Sequence, residues 1–289
     1  MDVSVIVVPY DSGRADTRMG RGPQRLLEAA LEPQLTRLGH TITVNPVRAS
    51  AGFTTEIATT FELCALVADR VHDSLRTNAF PLILSGNCDI CVGAIAGCGC
   101  ETTGVVWFDA HGESHSPETT ESGFLDGMGI GILTGQCWQR IAGGIPRFSP
   151  VPGERVLLVG SRDVEPAERA LLDRVGVRRI ARVEDVGPAV ERLSGAVDGV
   201  YVHVDLDVLD PVEATANQWT PRGGLTIDAL TKAIEAVRRH APIKGFGIGS
   251  YDPECDGNGH ALRAAAGVAA LLLGGADAPG SPLARRGNI

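Results

Sequence analysis

The stretch VVWFDAHGESH, residues 105–115, decides the fold and points to the chemistry. It begins as an apolar, β-branched run typical of a buried strand, then changes to ionisable side chains at every second position, namely Asp109, His111, Glu113 and His115. In extended backbone, side chains two residues apart lie on the same side of the chain. The stretch therefore predicts a core strand that ends in a row of potential metal ligands.

Apolar runs of the same kind recur along the chain and alternate with amphipathic helical patterns. The predicted strands span residues 3–10, 81–86, 104–110, 155–161, 177–180, 199–208 and 244–251, and the predicted helices span 23–39, 55–76, 165–176 and 226–240. This alternation is typical of a parallel sheet covered by helices on both faces. Since no shift in composition marks a linker, the sequence predicts one α/β domain over residues 1–289.

Composition excludes several classes of partner. The net charge of −9 disfavours binding to nucleic acid or to an anionic membrane. The opening MDVSVIVVPY predicts a strand instead of a secretory signal, and no apolar run approaches the about 20 residues of a membrane span. Seven cysteines in no zinc-binding pattern indicate reduced thiols, so we expect a cytoplasmic protein. We expect the last segment, residues 275–289, to be loosely ordered.

A second alternating array, Asp205-x-Asp207, lies in HVDLDVLDP at residues 203–211. Ligands collect at the carboxyl ends of the strands in open parallel sheets, so the two arrays are expected to meet there and to hold two cations. Oxygen ligands with one imidazole suit Mn²⁺. The alternative is a salt-bridge network with nearby arginines, but burying so many carboxylates without cations is costly.

Three motifs in order resemble those of the ureohydrolases, the family of arginases and agmatinases. They are Ser85-Gly86-Asn87-Cys88-Asp89, Asp109-Ala110-His111-Gly112-Glu113, and Asp205-Leu206-Asp207-Val208-Leu209-Asp210-Pro211. The resemblance extends from GRGPQRLL, residues 20–27, to the strand that ends at Tyr251. It implies a three-layer α/β/α fold with a mainly parallel sheet of about eight strands, a binuclear metallohydrolase, and a trimer or hexamer of identical subunits.

The resemblance also implies roles for the ligands. It implies that Asp109 and Asp205 bridge the two ions. His111 and Asp207 would complete the ligands of one ion, and Cys88 and Glu113 those of the other. A hydroxide shared by two Mn²⁺ ions, oriented by Glu113, would attack the guanidine carbon of the substrate and release an amine and a urea.

Three positions of the predicted catalytic centre depart from the family pattern. Cys88 stands where the family has a histidine, and a thiolate there would favour Zn²⁺, Fe²⁺ or Co²⁺; the alternative is a buried thiol beside a weak metal site. Glu113 replaces an aspartate. Asp126 aligns with the histidine that protonates the leaving amine, and it would relay a proton if its pKa is raised; the alternative is a capping or surface aspartate.

At the substrate end, the departure with the largest consequence is at residue 250, whereas the segments that bind the amino-acid end resemble the family more closely. Ser250 stands where the family has a glutamate that pairs with the guanidinium, and Asp252 is a possible partial substitute. The resemblance assigns His115 and Ser122 to the substrate carboxylate, and Glu165 and Glu168 to its α-amino group. The alternative for His115 is a solvated loop residue. The alternative for the two glutamates is a favourable charge in the first turn of a helix.

The sequence thus predicts a hydrolase of a guanidino C–N bond in an amino-acid-like substrate. The loss of a charged pair at Ser250 favours the less basic N-hydroxy-L-arginine over L-arginine, and the chain resembles the cysteine-containing N-hydroxy-arginine hydrolases within the family. Another amidine or guanidine, such as agmatine, guanidinobutyrate or a formimino amino acid, is an alternative. The second alternative is that the protein is a metal- or ligand-binding relative of these hydrolases without turnover.

Overall fold

An eight-stranded parallel sheet forms the centre of the molecule. In the computed structural model, which describes residues 1–274, its strands lie in the order Thr41–Pro46, Asp2–Val8, Phe80–Ser85, Ile243–Gly249, Gly199–Asp205, Thr103–Phe108, Val156–Val159 and Arg178–Ile180. Neighbouring strands pair in parallel throughout the sheet. The predicted three-layer α/β/α class is confirmed. The predicted loose tail, residues 275–289, lies outside the described residues.

Within residues 1–274 the strands are β1 (Asp2–Val8), β2 (Tyr10–Asp11), β3 (Arg14–Ala15), β4 (Thr41–Pro46), β5 (Phe80–Ser85), β6 (Thr103–Phe108), β7 (Val156–Val159), β8 (Arg178–Ile180), β9 (Gly199–Asp205) and β10 (Ile243–Gly249). The helices are α1 (Gly22–Leu26), α2 (Glu32–Arg37), α3 (Glu56–Arg76), α4 (Cys91–Cys98), α5 (Gly129–Leu133), α6 (Gln139–Ala142), α7 (Pro166–Val175), α8 (Val186–Ser194), α9 (Ile227–His240) and α10 (His260–Leu273). A π-helical turn, Leu27–Leu31, joins α1 to α2.

Alternate residues of the central strands supply two separate cores. Val5 and Val7 of β1 belong to the core that α1, α2, α8, α9 and α10 cover, whereas Ile6 and Val8 belong to the core that α3, α4, α5 and α7 cover. Because both faces of the strands are apolar, helices must shield the sheet on both sides. No helix within residues 1–274 is long and apolar enough to span a membrane.

The predictions missed one strand of the eight-stranded sheet, the short hairpin of β2 and β3, and several helices. Strand β4 lies at the edge of the sheet and is largely exposed, so its sequence TITVNP lacks the apolar run of a central strand. Helix α4 is buried on every side and has no polar face, so its sequence lacks the alternation of apolar and polar residues by which a helix is predicted. The predicted strand 199–208 ends at Asp205, where the chain turns into a 3₁₀ helix, Leu206–Val208.

The carboxyl ends of four adjacent strands meet at one edge. Strands β5, β10, β9 and β6 are neighbours in that order. The residues that follow or end them include Cys88, Ser250, Asp205 and Asp109. The topology therefore gathers side chains that are far apart in sequence at one point above the sheet.

Candidate metal centre

Asp109 directly follows β6 and is completely buried. Its two oxygens accept hydrogen bonds from the Trp107 indole Nε1, at 2.8 Å, and from the backbone nitrogen of His111, at 2.8 Å. Trp107 is a buried core residue, and it also fixes this carboxylate. Asp109 is thereby held in one orientation at the end of the strand.

The second array is fixed to the first through backbone hydrogen bonds. Asp205 ends β9, and its Oδ1 accepts from the backbone nitrogen of Asp207 at 2.8 Å. Asp207 Oδ1 accepts from the backbone nitrogen of Ala110 at 3.1 Å. The extended backbone predicted for Asp205-x-Asp207 is wrong, because Asp207 lies in the 3₁₀ turn. The turn nevertheless places both carboxylates at the same edge.

Cys88 enters the centre from the 3₁₀ turn Cys88–Ile90 that follows β5. Its sulfur lies 2.9 Å from Asp205 Oδ2 and 3.2 Å from Ser250 Oγ. Burial, with the nearby charges of Asp205 and Asp126, raises the pKa of the thiol well above its usual range. Without a cation, the thiol is therefore protonated and donates to Asp205.

Two sets of ligand atoms each lie within 4.8 Å of one another: Cys88, Asp109 and Asp205, and Asp109, His111 and Asp207. Of the two residues predicted to bridge the ions, Asp109 belongs to both sets, whereas Asp205 belongs to one. His111 Nδ1 lies 3.2 Å from Asp207 and 3.4 Å from Asp109. Burial lowers the pKa of His111, but these two carboxylates more than offset burial and raise it overall. The arrangement can hold two divalent cations that share one carboxylate.

Glu113 lies outside both sets, although it was predicted to share an ion with Cys88. Its backbone is left-handed, with φ of 51°, so the predicted extended row ends before it. Its side chain is buried, and Oε2 has no hydrogen-bond partner among residues 1–274. Burial, followed by the charges of Asp109 and Asp126, raises its pKa well above the usual range. A buried carboxylate oxygen without a partner, among so many acids, fits a cation-binding site.

Asp126 is buried and contacts the Cys88 turn. Its Oδ1 accepts from the backbone nitrogens of Cys88, at 2.6 Å, and Asp89, at 3.0 Å, and its Oδ2 accepts from Asn87 Nδ2 at 2.7 Å. Burial raises its pKa to about 7, although the hydrogen bonds oppose the rise. Asp126 thus caps the start of the Cys88–Ile90 turn, as in the alternative interpretation, but it is buried and not at the surface.

A cavity of about 460 Å³ opens above these residues. Its charged lining consists of Arg18, His111, Glu113, His115, Asp126, Asp163, Glu165, Glu168, Asp205 and Asp207, and its other lining residues include Ser12, Ser122, Asn217, Trp219 and Ser250. All five predicted substrate contacts, His115, Ser122, Glu165, Glu168 and Ser250, line it. Asp252 does not; its carboxylate accepts from the backbone nitrogen of Glu254.

Glu165 and Glu168 form the capping box at the start of α7. Glu168 Oε1 also accepts from the backbone nitrogen of Ser114 at 3.2 Å, which ties the helix to the Glu113 segment. A Cβ on Gly112 would lie 2.6 Å from that oxygen, so a larger residue there would displace the Glu168 carboxylate. His115 Nε2 lies 3.6 Å from Glu165 and 3.7 Å from Glu168. Both glutamates therefore stabilise the start of the helix, as the alternative interpretation predicted, and both also line the cavity.

Two supporting residues were missed by the sequence analysis. Arg162 Nη2 donates to the carbonyl oxygens of Asp207, at 2.9 Å, and Pro221, at 2.7 Å, and thus braces the turn that carries Asp207. Asn217 Nδ2 donates at 2.9 Å to the carbonyl of Ser250, whose φ is 59°. Their partners are backbone carbonyls, which leave no side-chain signature in the sequence.

A parallel α/β/α fold with a cluster of carboxylates, imidazole and thiol at its strand ends defines a metallohydrolase class of site. Residues 1–274 match the profile of the arginase family, and the chain belongs to that family. It is accordingly a hydrolase of guanidino compounds, as the motifs at residues 85–89, 109–113 and 205–211 predicted.

Individual relatives cover most of the chain. An arginase of Staphylococcus aureus strain MRSA252 is 24% identical, covering 94% of this chain and 97% of its own. An arginase of Brevibacillus brevis is 30% identical over 78% of this chain and 82% of its own. The structure of the Bacillus caldovelox arginase superposes with a TM-score of 0.85 at 25% identity, covering 95% of this chain and 98% of that one.

Proposed function

We propose that this protein hydrolyses the guanidino C–N bond of an amino-acid-like substrate, with N-hydroxy-L-arginine preferred over L-arginine. The observation that carries the proposal is the neutral Ser250 in the wall of the cavity, 3.2 Å from the Cys88 sulfur. A strongly basic guanidinium would gain from a carboxylate at this point. An N-hydroxyguanidine is less basic and loses less when that carboxylate is absent.

The proposed ligands are Cys88, Asp109, His111, Glu113, Asp205 and Asp207. Two divalent cations, when bound, lower the pKa of water and so supply a nucleophile at neutral pH. Mn²⁺ is the expected ion because oxygen ligands dominate, and Zn²⁺, Fe²⁺ and Co²⁺ are the alternatives that the Cys88 sulfur favours. Glu113, which lines the cavity and whose Oε2 has no hydrogen-bond partner among residues 1–274, is proposed to orient the attacking water.

The remaining side chains would bind the substrate and manage its protons. Glu165 and Glu168 would attract the α-ammonium group, and Ser122 with His115 the α-carboxylate. Asp126 would exchange a proton with the leaving amine, since a pKa of about 7 lets a carboxyl act as acid or base near neutrality. Its three hydrogen bonds to the Cys88 turn would couple that proton to the position of the sulfur.

The test is ornithine release from L-arginine and N-hydroxy-L-arginine, measured side by side after reloading with Mn²⁺ under reducing conditions. Faster release from the hydroxylated substrate supports the proposal, and an equal rate from arginine refutes the preference. Asp109→Asn is the matched control and should abolish both. If neither is cleaved, a panel of agmatine, guanidinobutyrate and a formimino amino acid distinguishes another hydrolase from a relative without turnover.

The proposed setting is a cytoplasmic trimer or hexamer acting on a small guanidine. Light scattering coupled to size exclusion measures the assembly directly. A monomeric mass at micromolar concentration would contradict the proposed assembly without bearing on the chemistry.

A further inference from the structure

The cavity has an uneven distribution of charge. Seven carboxylates line it, but among the residues that the structure describes Arg18 is its one guanidinium or ammonium group. Carboxylates suit cations and the ammonium of an amino acid. The guanidinium of Arg18 pairs with Asp11 through Nη2 alone, so the remaining nitrogens of this cation can bind a second anion.

The other groups proposed for a substrate carboxylate already have partners. His115 Nε2 faces Glu165 and Glu168, and its Nδ1 lies 3.3 Å from Thr119 Oγ1. Ser122 Oγ accepts from the backbone nitrogen of Phe124 at 3.2 Å. An anion approaching His115 would also meet the two glutamates. Neither residue offers a permanent positive charge with unoccupied donors.

Arg18 combines a fixed anchor with available donors. Its Nη2 donates to Asp11 Oδ1 at 2.8 Å and to Ser12 Oγ at 3.3 Å. Asp11 is buried and also accepts from the backbone nitrogen of Met19 at 3.3 Å, so the anchor does not move freely. Within residues 1–274, Nε and Nη1 of Arg18 have no hydrogen-bond partner, and the side chain is 53% exposed.

The segment that carries Arg18 is tied to the metal centre. Arg18 has φ of 42° and Ser12 has φ of 49°, conformations that persist in non-glycine residues only where surrounding contacts enforce them. The Ser12 backbone nitrogen donates to Asn87 Oδ1 at 2.7 Å, and Asn87 in turn donates to Asp126. The guanidinium is therefore held at a set position relative to the Cys88 turn.

We propose that Arg18 is a specificity-determining residue that binds the carboxylate of the substrate, at the end remote from the guanidine. The inference rests on the proposed function and deepens it, since it selects amino-acid substrates over their decarboxylated counterparts. Glu165 and Glu168 then bind the ammonium group of the same substrate. Carboxylate and ammonium are each bound by a side chain of opposite charge.

The test compares two competitive ligands that differ only in the carboxylate, L-ornithine and 1,4-diaminobutane. Calorimetry measures their binding to the Mn²⁺-loaded wild type and to Arg18→Met. We expect the variant to weaken ornithine on the order of tenfold to a hundredfold, as for loss of a charged hydrogen bond, and to leave diaminobutane unchanged. In turnover, KM for the amino-acid substrate should rise by a similar factor while kcat stays within about twofold.

Matched variants separate recognition from folding. Asp11→Asn combined with Arg18→Met avoids leaving a buried carboxylate unpaired and should show the same selective loss. Arg18→Lys keeps the charge and should recover part of the ornithine affinity. Arg21→Met removes a neighbouring guanidinium that pairs with Glu254 at 2.8 Å and does not line the cavity, so it should behave as wild type.

The binding arm needs no turnover, so failure of the proposed reaction and failure of this inference are distinguishable. Equal weakening of both ligands in Arg18→Met, or of neither, overturns the role of Arg18. Wild-type protein that binds ornithine no more tightly than diaminobutane overturns it too. Selective loss of ornithine binding with no cleavage of any guanidine would uphold the role of Arg18 and refute the hydrolysis.

Discussion

The sulfur of Cys88 donates a hydrogen bond to Asp205 Oδ2 across 2.9 Å. One of these residues follows β5 and the other ends β9, and β10, which separates the two strands in the sheet, contributes Ser250 beside the sulfur. A thiol proton thus occupies the line between two proposed metal ligands. A cation bound by both must displace that proton, because only the thiolate is a good ligand.

Cation binding should therefore release a proton from Cys88. Burial and the surrounding carboxylates raise the pKa of this thiol, so the proton is present across the neutral range. We expect Mn²⁺ or Co²⁺ affinity to rise with pH about tenfold per unit more steeply in wild type than in Cys88→Ser, whose hydroxyl does not ionise. Titration at pH 6.5, 7.5 and 8.5 measures the difference.

The control for that titration is Cys91→Ser, a buried neighbour outside both ligand sets. It should keep the wild-type slope. Cys88→His should shift the preference among reloaded ions away from Zn²⁺ and toward Mn²⁺, as seen in metal analysis by mass spectrometry. Identical slopes and identical metal contents in wild type and both Cys88 variants would remove Cys88 from the ligand set.

Without cations, the protein should lose stability as pH rises. Burial raises the pKa of Asp126 to about 7, and raises those of Glu113 and Asp205 as well. A carboxyl with a higher pKa in the folded than in the unfolded state stabilises the fold when protonated. That contribution is complete below about pH 4, the unfolded value, and is lost as pH rises through the folded pKa.

In EDTA, we therefore expect the melting temperature to fall between pH 5 and pH 8. Bound cations neutralise the same carboxylates, so added Mn²⁺ should raise the melting temperature most at pH 8. Asp126→Asn should flatten the slope in EDTA whatever its effect on absolute stability. A melting temperature in EDTA that climbs from pH 5 to pH 8 would contradict this assignment of the raised pKa values.

Much of the site could be predicted from the sequence because ionisable residues directly after an apolar run mark the end of a core strand. Asp109 and Asp205 each end an apolar run, and the parallel fold brings such ends together, so these ligands needed only local pattern and topology. Arg162 and Asn217 could not be predicted in this way, since each donates to backbone carbonyls of distant loops, which no sequence pattern marks. Glu113 shows a different limit: its left-handed backbone depends on contacts such as that of Ser114 with Glu168, which no local pattern encodes.

Arg162 should matter for stability although it is not a proposed ligand. Its guanidinium is half-buried and donates to the carbonyls of Asp207, Leu209 and Pro221. Arg162→Met should lower the free energy of unfolding by about 2 kcal/mol and the melting temperature by roughly 4–8 °C. It should also weaken metal binding, because the turn that holds Asp207 loses its brace.

Arg182→Met is the matched control, as Arg182 is exposed and pairs only with exposed Glu184 among the described residues. Its melting temperature should match that of wild type, since surface ion pairs contribute little. If Arg162→Met melts like Arg182→Met, the carbonyl contacts are not a brace.

The last prediction tests the substrate argument from the protein side. Ser250→Glu places a carboxylate at the wall of the cavity, where Asn217 holds the backbone of residue 250 in its left-handed conformation. L-Arginine, with its strongly basic guanidinium, should gain about tenfold in kcat/KM from the new charged pair. N-hydroxy-L-arginine should gain much less, so the ratio of the two kcat/KM values should shift toward arginine. Ser250→Gln has nearly the same size without the charge and should leave the ratio near wild type. Glu and Gln variants with the same ratio would show that charge at residue 250 does not set the preference, and the case for a hydroxylated substrate would fail with it.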